Sequence, residues 1–542
     1  MVTAAQRYRA LESDRNYYLE RGREAAKLTL PYLIPSSNDP GKTSREVFPL
    51  PWNGIGARGV LNLASRMLLA ILPPTQTFFR FTLNEMEMVR RGISMDLKSE
   101  YDSALAKMEA EVLRSIEATN DRVAFHEALL WLIVAGNVLL YVGKEGLRVH
   151  HLNRYVCCRD PEGNPLEAIT CEELAINQLE PKVRALLEDD EDDLVGRLAN
   201  DDYDEIGEYD KTVKIYTHVR WLKGEKKVLW HQEVRGKEIP GSQGEAPLES
   251  NPWMPLRMSR IDGQPYGVGY VESAALADLK TAEALSQAVS EGSLASAAIR
   301  FLVRPNGVTK AKALADAPNG AFVVGDINDV QALQVQKSGD LQVAMAGLAR
   351  VEARLSQAFM LADVRDSERT TAEEVRLQAL QIENSLGSIY SILVTEFQTP
   401  YVSRKLDLLI RQGKLQPLEK DLVRPVVSVG LAAVGRSNDL EKVVRFVSTI
   451  AELGNAIGQQ EVMMRVNPSE LIRRLASSMG VDTVGLIKTD QQVTAEQEQA
   501  QQMAMAQQAM ASPMADPQKQ AQAAAIQQQL AQAPDQPTPV PQ

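Results

Sequence analysis

Apolar positions recur with a helical period in some stretches of the chain and with a two-residue period in others, and the switches between them mark the elements. From Ala4 to about Lys27, Tyr8, Leu11, Tyr18 and Leu28 fall at near-helical spacing among charges, predicting an amphipathic helix that Pro31 and Pro35 end. A Pro-rich connector, Val47 to Trp52, leads to a helix from Gly56 to Leu72, stopped by Pro73 and Pro74. A charged helix is predicted over Met95 to Thr119 and an apolar one from Asp121 to Ala135, where Gly136-Asn137 turns the chain into strands. Between Val138 and about Arg260 three hairpins are expected: Val138–Val142 with Leu147–Leu152, Tyr155–Arg159 with Glu167–Cys171, and Val213–Leu222 with Lys227–Val234. Together they predict an antiparallel sheet interrupted by a small acidic helical insert.

Helical patterning returns from Gly269 to Ile299, with Leu276, Leu279, Leu285, Val289 and Leu294 as the apolar stripe. Ala275, Ala282, Ala288, Ala295 and Ala298 would let neighbouring helices approach closely. A β-containing stretch, Phe301 to Val335, has turns at Pro305-Asn306-Gly307 and Pro318-Asn319-Gly320. Helix resumes from Leu341 to Leu361, and a polar loop, Asp363 to Thr370, breaks it. Thr371 with Glu374 forms a capping box that opens a helix to about Gln398; Pro400 bends or ends it, and Gly413 closes any continuation to Ile410. Further helices are expected over Asp439–Leu453, Glu461–Val466 and Ser469–Met479. The last 52 residues hold 17 Gln and 13 Ala and read as a frayed helix passing into disorder. The fold class is therefore α+β and predominantly helical, with no repeat of 20 to 50 residues.

At 542 residues, 44% hydrophobic and 24% charged, the chain can bury a real core, which excludes a wholly disordered or collagen-like protein. Fifty-nine Lys and Arg against 71 Asp and Glu leave a net charge of -12, which argues against gripping nucleic acid by neutralising many phosphates but not against letting DNA pass. Cys157, Cys158 and Cys171 are too few for a disulfide framework and lack zinc-ribbon spacing, so free thiols and no metal site are expected. The charged N-terminus does not read as a secretion signal, so the chain is expected to begin inside a cell. The longest apolar stretch, Ala128 to Val142, is interrupted by Gly136 and Asn137, so no membrane span is expected.

Several motifs suggest chemistry that their surroundings do not support. Gly54-Ile55-Gly56-Ala57-Arg58-Gly59 matches a dinucleotide fingerprint, but Pro49 and Pro51 stand where its strand should be, and tight backbone packing is the better reading. Gly41-Lys42-Thr43 resembles the end of a P-loop, yet Ser36 replaces its first glycine and Pro40 lies inside it. His126-Glu127 lacks a second zinc ligand because position 130 is Leu, and His150 and His151 point to opposite faces of a strand. The acidic run Glu188–Asp193 lacks the spacing of a calcium loop and reads as a solvated face. Asp363–Thr370 by itself reads as a surface loop, and Arg350 and Arg354 as solvated positions four apart on one helix face. No catalytic constellation and no cofactor site can be singled out.

Five stretches, taken in order, resemble the portal, or head-to-tail connector, proteins of short-tailed, podovirus-type bacteriophages. They are Gly56–Leu83 (GARGVLNLASRMLLAILPPTQTFFRFTL), Leu132–Val142 (LIVAGNVLLYV), Pro255–Glu272 (PLRMSRIDGQPYGVGYVE), Val351–Leu361 (VEARLSQAFML) and Thr371–Ala379 (TAEEVRLQA). Their order and spacing are similar to the family's from about residue 5 to 490.

The resemblance implies a homo-oligomeric ring, usually a dodecamer, in the virion at one capsid vertex, with wing, stem, clip and crown regions around a channel for double-stranded DNA. Residues 1–262 would be wing, 263–300 the first stem helix, 301–338 clip, 339–362 the second stem helix and 363–370 the tunnel loop. Residues 371–436 would be the long helix and its return to the wing, 437–490 a helical crown and 491–542 the Gln/Ala tail. The implied tunnel loop is Asp363, Val364, Arg365, Asp366, Ser367, Glu368, Arg369 and Thr370, and the candidate DNA-channel contacts are Arg350, Arg354, Arg365 and Arg369. Implied partners are the major capsid protein, scaffolding protein, the terminase motor and tail adaptor or tail tube proteins, met in the host bacterial cytoplasm during assembly. No chemistry of its own is implied. A ring-forming head–tail adaptor is the alternative, and a nucleotide-dependent enzyme using Gly54–Gly59 or Lys42 a more distant one.

Overall fold

The structure is a computed structural model that describes residues 2–35, 47–73, 78–83, 90, 95–175, 178–188, 212–297, 300–333, 338–361, 387, 389–416, 423–426 and 448–449. The chain divides into two compact units, Met1–Val434 and Gly435–Gln542. Of the second, the described residues 448 and 449 are helical and exposed. The tunnel-loop, Thr371–Glu374 capping-box and Gln/Ala-tail expectations lie outside the described residues, as do the crown expectations apart from those two residues and most of the acidic run.

Thr3 caps α1 (Ala4–Lys27) through a reciprocal pair in which its hydroxyl accepts the Gln6 N–H and the Gln6 side chain accepts the Thr3 N–H. The connector then delivers α2 (Ile55–Ile71), followed by β1 (Arg80–Leu83), α3 (Met95–Ala118) and α4 (Asp121–Ala135). Residues 128–135 of α4 are all buried, as a helix with apolar residues on every side must be. Gly136 ends it at φ 78°, and a Cβ there would stand 2.5 Å from the Gly269 nitrogen, so a turn and a chain crossing both require glycine. The Asn137 amide completes the crossing by donating to Gly267 O at 2.8 Å and accepting from Gly267 N at 2.7 Å.

The strands are β2 (Asn137–Val142), β3 (Leu147–His151), β4 (Tyr155–Arg159) and β5 (Pro165–Ala175). After α5 (Pro181–Glu188) come β6 (Thr212–Leu222), β7 (Lys227–Val234), β8 (Lys237–Glu238), β9 (Gly244–Pro247) and β10 (Trp253–Arg257). All three expected hairpins form. They do not make one sheet, however: β2 and β3 join β10 in a three-stranded antiparallel sheet, and β4 to β9 form a separate six-stranded one. The reason lies in burial. Nearly all of β2 is buried and needs a partner on each edge, and the turn at Leu152–Arg154 takes the chain out of that sheet. The six-stranded sheet is covered on one face by α1, with Tyr8 on Val156, Ile169 and Tyr216, and on the other by α5, with Val183 and Leu187 on Val213 and Ile215.

A π-turn, Val271–Ala275, opens α6 (Leu276–Ala297). Next come β11 (Arg300–Val303), α7 (Ala311–Ala315), β12 (Val330–Leu333) and α8 (Ser338–Ala358), which stops three residues short of the expected Leu361. Helix is described again at residue 387 and from residue 389 runs into α9 (Thr399–Arg411). Pro400 lacks an N–H and crowds the carbonyl four residues back. The chain accommodates it with a π-turn, Val394–Gln398, in which the Thr399 N–H reaches Val394 O, five residues back. β13 (Val423–Val426) pairs with β1, a contact that no local pattern announced.

One buried network ties these parts together. The Asp121 carboxylate, fully buried at the start of α4, meets Lys405 Nζ at 2.6 Å and accepts from the Tyr401 hydroxyl at 2.5 Å and from Leu147 N at 2.8 Å. Lys405 also donates to Thr119 Oγ1 at 3.2 Å. Burial, and then the neighbouring carboxylate, hold the Tyr401 phenol well above its usual value, so it stays protonated and donates. Lys405→Met should leave Asp121 as an uncompensated buried charge and lower stability by about 3 to 5 kcal/mol in chemical denaturation. Asp121→Asn combined with Lys405→Met should cost less than the sum of the two single changes.

Candidate functional site on the two-helix arm

α6 and α8 run side by side as an arm that joins the body at one end and carries β11, α7 and β12 at the other. Gly292 sits in close contact with the facing helix, whereas at Gly347 even a side chain would make only an ordinary contact. A Cβ at Gly292 would stand 2.8 Å from Leu341 Cδ2, and one at Gly347 3.7 Å from Leu285 Cδ1. Of the alanines expected to face neighbouring helices, Ala275 and Ala282 turn into this chain's own core, while Ala288 and Ala295 are exposed. The apolar stripe divides in the same way, with Leu279 buried near the body and Leu294 70% exposed near the tip.

The base of the arm is locked by side chains distant in sequence. Phe359, fully buried, lies against Gly59 of α2 so closely that a Cβ there would meet its ring at 2.4 Å. Gly56 is equally close to Leu28 O, at 2.4 Å for the same hypothetical atom. Gly56 and Gly59 of the dinucleotide-like run thus serve close packing, whereas Gly54 has open space around it. Tyr270 donates to Ala358 O at 2.7 Å, and Asn62 to Phe359 O and Met360 O at 3.1 Å each. On the outer side Asn53 bridges both helices, donating to Ser286 Oγ at 3.0 Å and Glu352 Oε1 at 2.9 Å, while the Trp52 and Asn53 amides cap the Glu283 carboxylate.

The tip has the opposite character. Among residues 301–331 the buried ones are Thr309 and Asp329, both polar. Asp329 accepts from Thr309 N at 3.2 Å, and the Thr309 hydroxyl accepts from Asp326 N at 2.8 Å, so hydrogen bonds give the tip its shape. Its apolar side chains point out: Phe301, Leu302, Phe322, Val324 and Ile327 are 53% to 106% exposed. Exposed apolar groups of that kind are a general feature of interaction surfaces.

Of the four candidate arginines, Arg354 forms a two-pronged ion pair with Asp278 of α6, at 2.7 and 3.0 Å, and its hydrogen bonds hold the Asp278 carboxyl below the usual range. Both groups are partly exposed, so the pair aligns the helices more than it stabilises them. Arg350, one turn earlier, is exposed. Arg365 and Arg369 lie outside the described residues. Sequence reasoning missed Asp278, Asn53 and Phe359. Only Asn53 carried a local signal, as a helix-capping residue type just before α2.

The remaining histidine and cysteine motifs are accounted for locally, and Gly41-Lys42-Thr43 lies outside the described residues. His150 packs beside Trp253 and His151 stacks on Trp131, on opposite faces of β3, and burial pushes both imidazoles down to about 3. His126 is half-buried, with Nε2 3.5 Å from Ser65 Oγ. All three cysteines are unpaired, and burial raises the Cys171 thiol to about 11. Among the described residues no three metal-ligating side chains converge, and no helix is long and apolar enough to cross a membrane.

Fold and arm together define a mixed α+β subunit that presents an uncovered two-helix projection. The chain belongs to the family of bacteriophage head to tail connecting proteins, whose model matches residues 2–487. It is similar to the portal protein of Escherichia phage T7, with 36% identity over 511 residues covering 93% of this chain and 90% of that protein. It is also similar to the portal proteins of Enterobacteria phage T3, at 36% over 492 residues (90% and 88%), and Enterobacteria phage SP6, at 30% over 442 residues (80% of each). A solved structure titled as the neck of an empty GTA particle computed with C6 symmetry overlays at a TM-score of 0.34 with 14% identity, over 72% of this chain and 86% of that one, too loosely to argue from.

Gly59→Ala should overpack the arm base against Phe359 and cost about 1 to 3 kcal/mol in thermal or chemical unfolding. Adding Phe359→Leu should recover part of that loss, which a double-mutant cycle measures.

Proposed function

We propose that the chain is the repeating subunit of a ring of about twelve copies at one vertex of a phage head, through whose channel double-stranded DNA is packaged and later ejected. The observation that carries this reading is the uncovered apolar tip on a polar-braced arm, in a chain that belongs to the connector family. A rotationally closing, heterologous contact between copies supplies cover for such side chains on every subunit. Exposed Ala288 and Ala295 leave room for a neighbouring helix on the distal half of α6.

Within the ring, residues 1–262 form the wing, α6 and α8 the stem, 301–338 the clip, 363–370 the tunnel loop and 437–490 the crown. A net charge of -12 suits a conduit, because many cationic phosphate contacts would release counterions and hold DNA too tightly to slide. Arg365 and Arg369, repeated around the ring and aided by Arg350, centre the duplex. Arg354 is engaged with Asp278 and contributes less. A separate ATP-driven terminase docks at the ring, scaffolding and major capsid proteins assemble around it, and tail proteins replace the motor after packaging.

Electron microscopy with native mass measurement should find closed rings of about twelve copies around an open channel. A persistent monomer or compact dimer that turns over nucleotide would overturn the reading. Phe322→Ser with Ile327→Ser should lower ring yield while leaving the circular-dichroism spectrum of the subunit unchanged. Arg365→Ala with Arg369→Ala should leave rings intact and alter DNA packaging or retention, and unchanged packaging counts against a channel role for that loop.

A further inference from the structure

The segment leading into α2 crosses one side of the two-helix arm, where the Asn53 side chain bonds Ser286 of α6 and Glu352 of α8. Just before it, Val47, Leu50 and Trp52 are 92%, 86% and 53% exposed, an apolar ridge that the described residues leave uncovered. The ridge is flanked by negative charge. Glu283 accepts the Trp52 and Asn53 amides and Glu352 accepts from the Asn53 side chain, and neither carboxylate has a cationic partner among the described residues.

The opposite side of the arm has the complementary character. Two residues along an α-helix turn the side chain by about 200°, so Ala284 and Ala288, on either side of Ser286 in sequence, face away from it, and both are exposed. On α8 the same spacing turns Arg350 away from Glu352, and Val343, about two turns earlier and 74% exposed, shares its side. Arg350 is exposed and has no ion-pair partner among the described residues. Leu285 faces Gly347 and Asp278 pairs with Arg354, which puts Arg350 at nearly the same level of the arm as Ala284 and the ridge.

We infer that the Val47–Trp52 ridge of one copy seats on the Ala284–Ala288 face of the next copy's arm, and that Arg350 of that next copy meets Glu352 and Glu283. This inference rests on the ring reading and names the surfaces that close it. A heterologous contact between identical copies needs two unlike surfaces on one chain, each fitted to the other. Here they lie on opposite sides of one arm at one level, apolar and anionic on one side, small and cationic on the other. Small side chains let Leu50 and Trp52 approach the helix, and the meeting of opposite charges fixes the register. An anionic ridge repels phosphate, so DNA is not its occupant. The contact engages Arg350 between copies first, and its part in centring the duplex is secondary.

The test assembles the purified full chain and counts closed rings by native mass measurement. Leu50→Ser with Trp52→Ser should lower ring yield by about tenfold while the circular-dichroism spectrum of the subunit stays the same. Arg350→Glu should do likewise, and adding Glu352→Arg should restore the rings, because the two positions face apart within one chain and meet only across the seam. Leu50→Cys with Ala288→Cys in one chain should give a ladder of linked copies with a short bismaleimide, whereas either change alone, or the parent with its own free thiols, should not. A parent that never closes rings overturns the ring reading and this contact together. Rings that form in the parent, ignore these substitutions and give no ladder overturn the contact alone, as do intact Arg350→Glu rings whose only defect is in DNA retention.

Discussion

The buried ion pair between Asp121 and Lys405 is the constraint on which the rest of the described body depends. A carboxylate taken wholly out of water must be neutralised and hydrogen-bonded on both oxygens, and only one arrangement of α4, α9 and the β2–β3 hairpin supplies Lys405, Tyr401 and the Leu147 amide together. With α9 held there, the π-turn before it has a definite place. Phe397 stacks between Phe125 and Tyr401, and Glu396 is presented to Arg257 and Arg159 at the ends of the two sheets. Pro400 is what turns a regular helix into this joint, because it removes one donor and forces the preceding turn to widen.

The arm shows how the same physics gives two ends of different character. At the base, glycines allow backbone and ring to meet, and Val351, Leu355 and Phe359 are buried. Toward the tip, apolar burial within the chain stops, and the shape is kept by Asp329, Thr309 and the β11–β12 pairing. A two-stranded ribbon without a covered face is marginal by itself. The tip therefore leaves most of its apolar side chains exposed in the single chain.

Much of this was legible locally. The helix from Ala4 to Lys27, the stop before Pro73, the Gly136-Asn137 turn and the three hairpins all rest on short-range chemistry, and the structure keeps them. The division into two sheets was not legible, since β10 reaches β2 across more than a hundred residues that carry no pairing signal. The candidate site was legible only in part. Arg354 could be placed on a helix, but its engagement with Asp278, 76 residues away, depends on how α6 and α8 pack.

By itself the amino-acid sequence determined where most helices and hairpins begin and end, because caps, glycines, prolines and hydrophobic period act within a few residues. It also carried the motifs by which the family is recognised. Only the tertiary structure decided which charges go inside. Arg15, on what reads as a charged helix, is buried because Leu152 O and Asn153 O meet its guanidinium at 3.1 and 2.6 Å. Arg257, Asp121 and Lys405 are buried for similar reasons. A charge enters a protein interior only where distant groups converge to receive it, and that convergence is a property of the folded chain rather than of any local stretch.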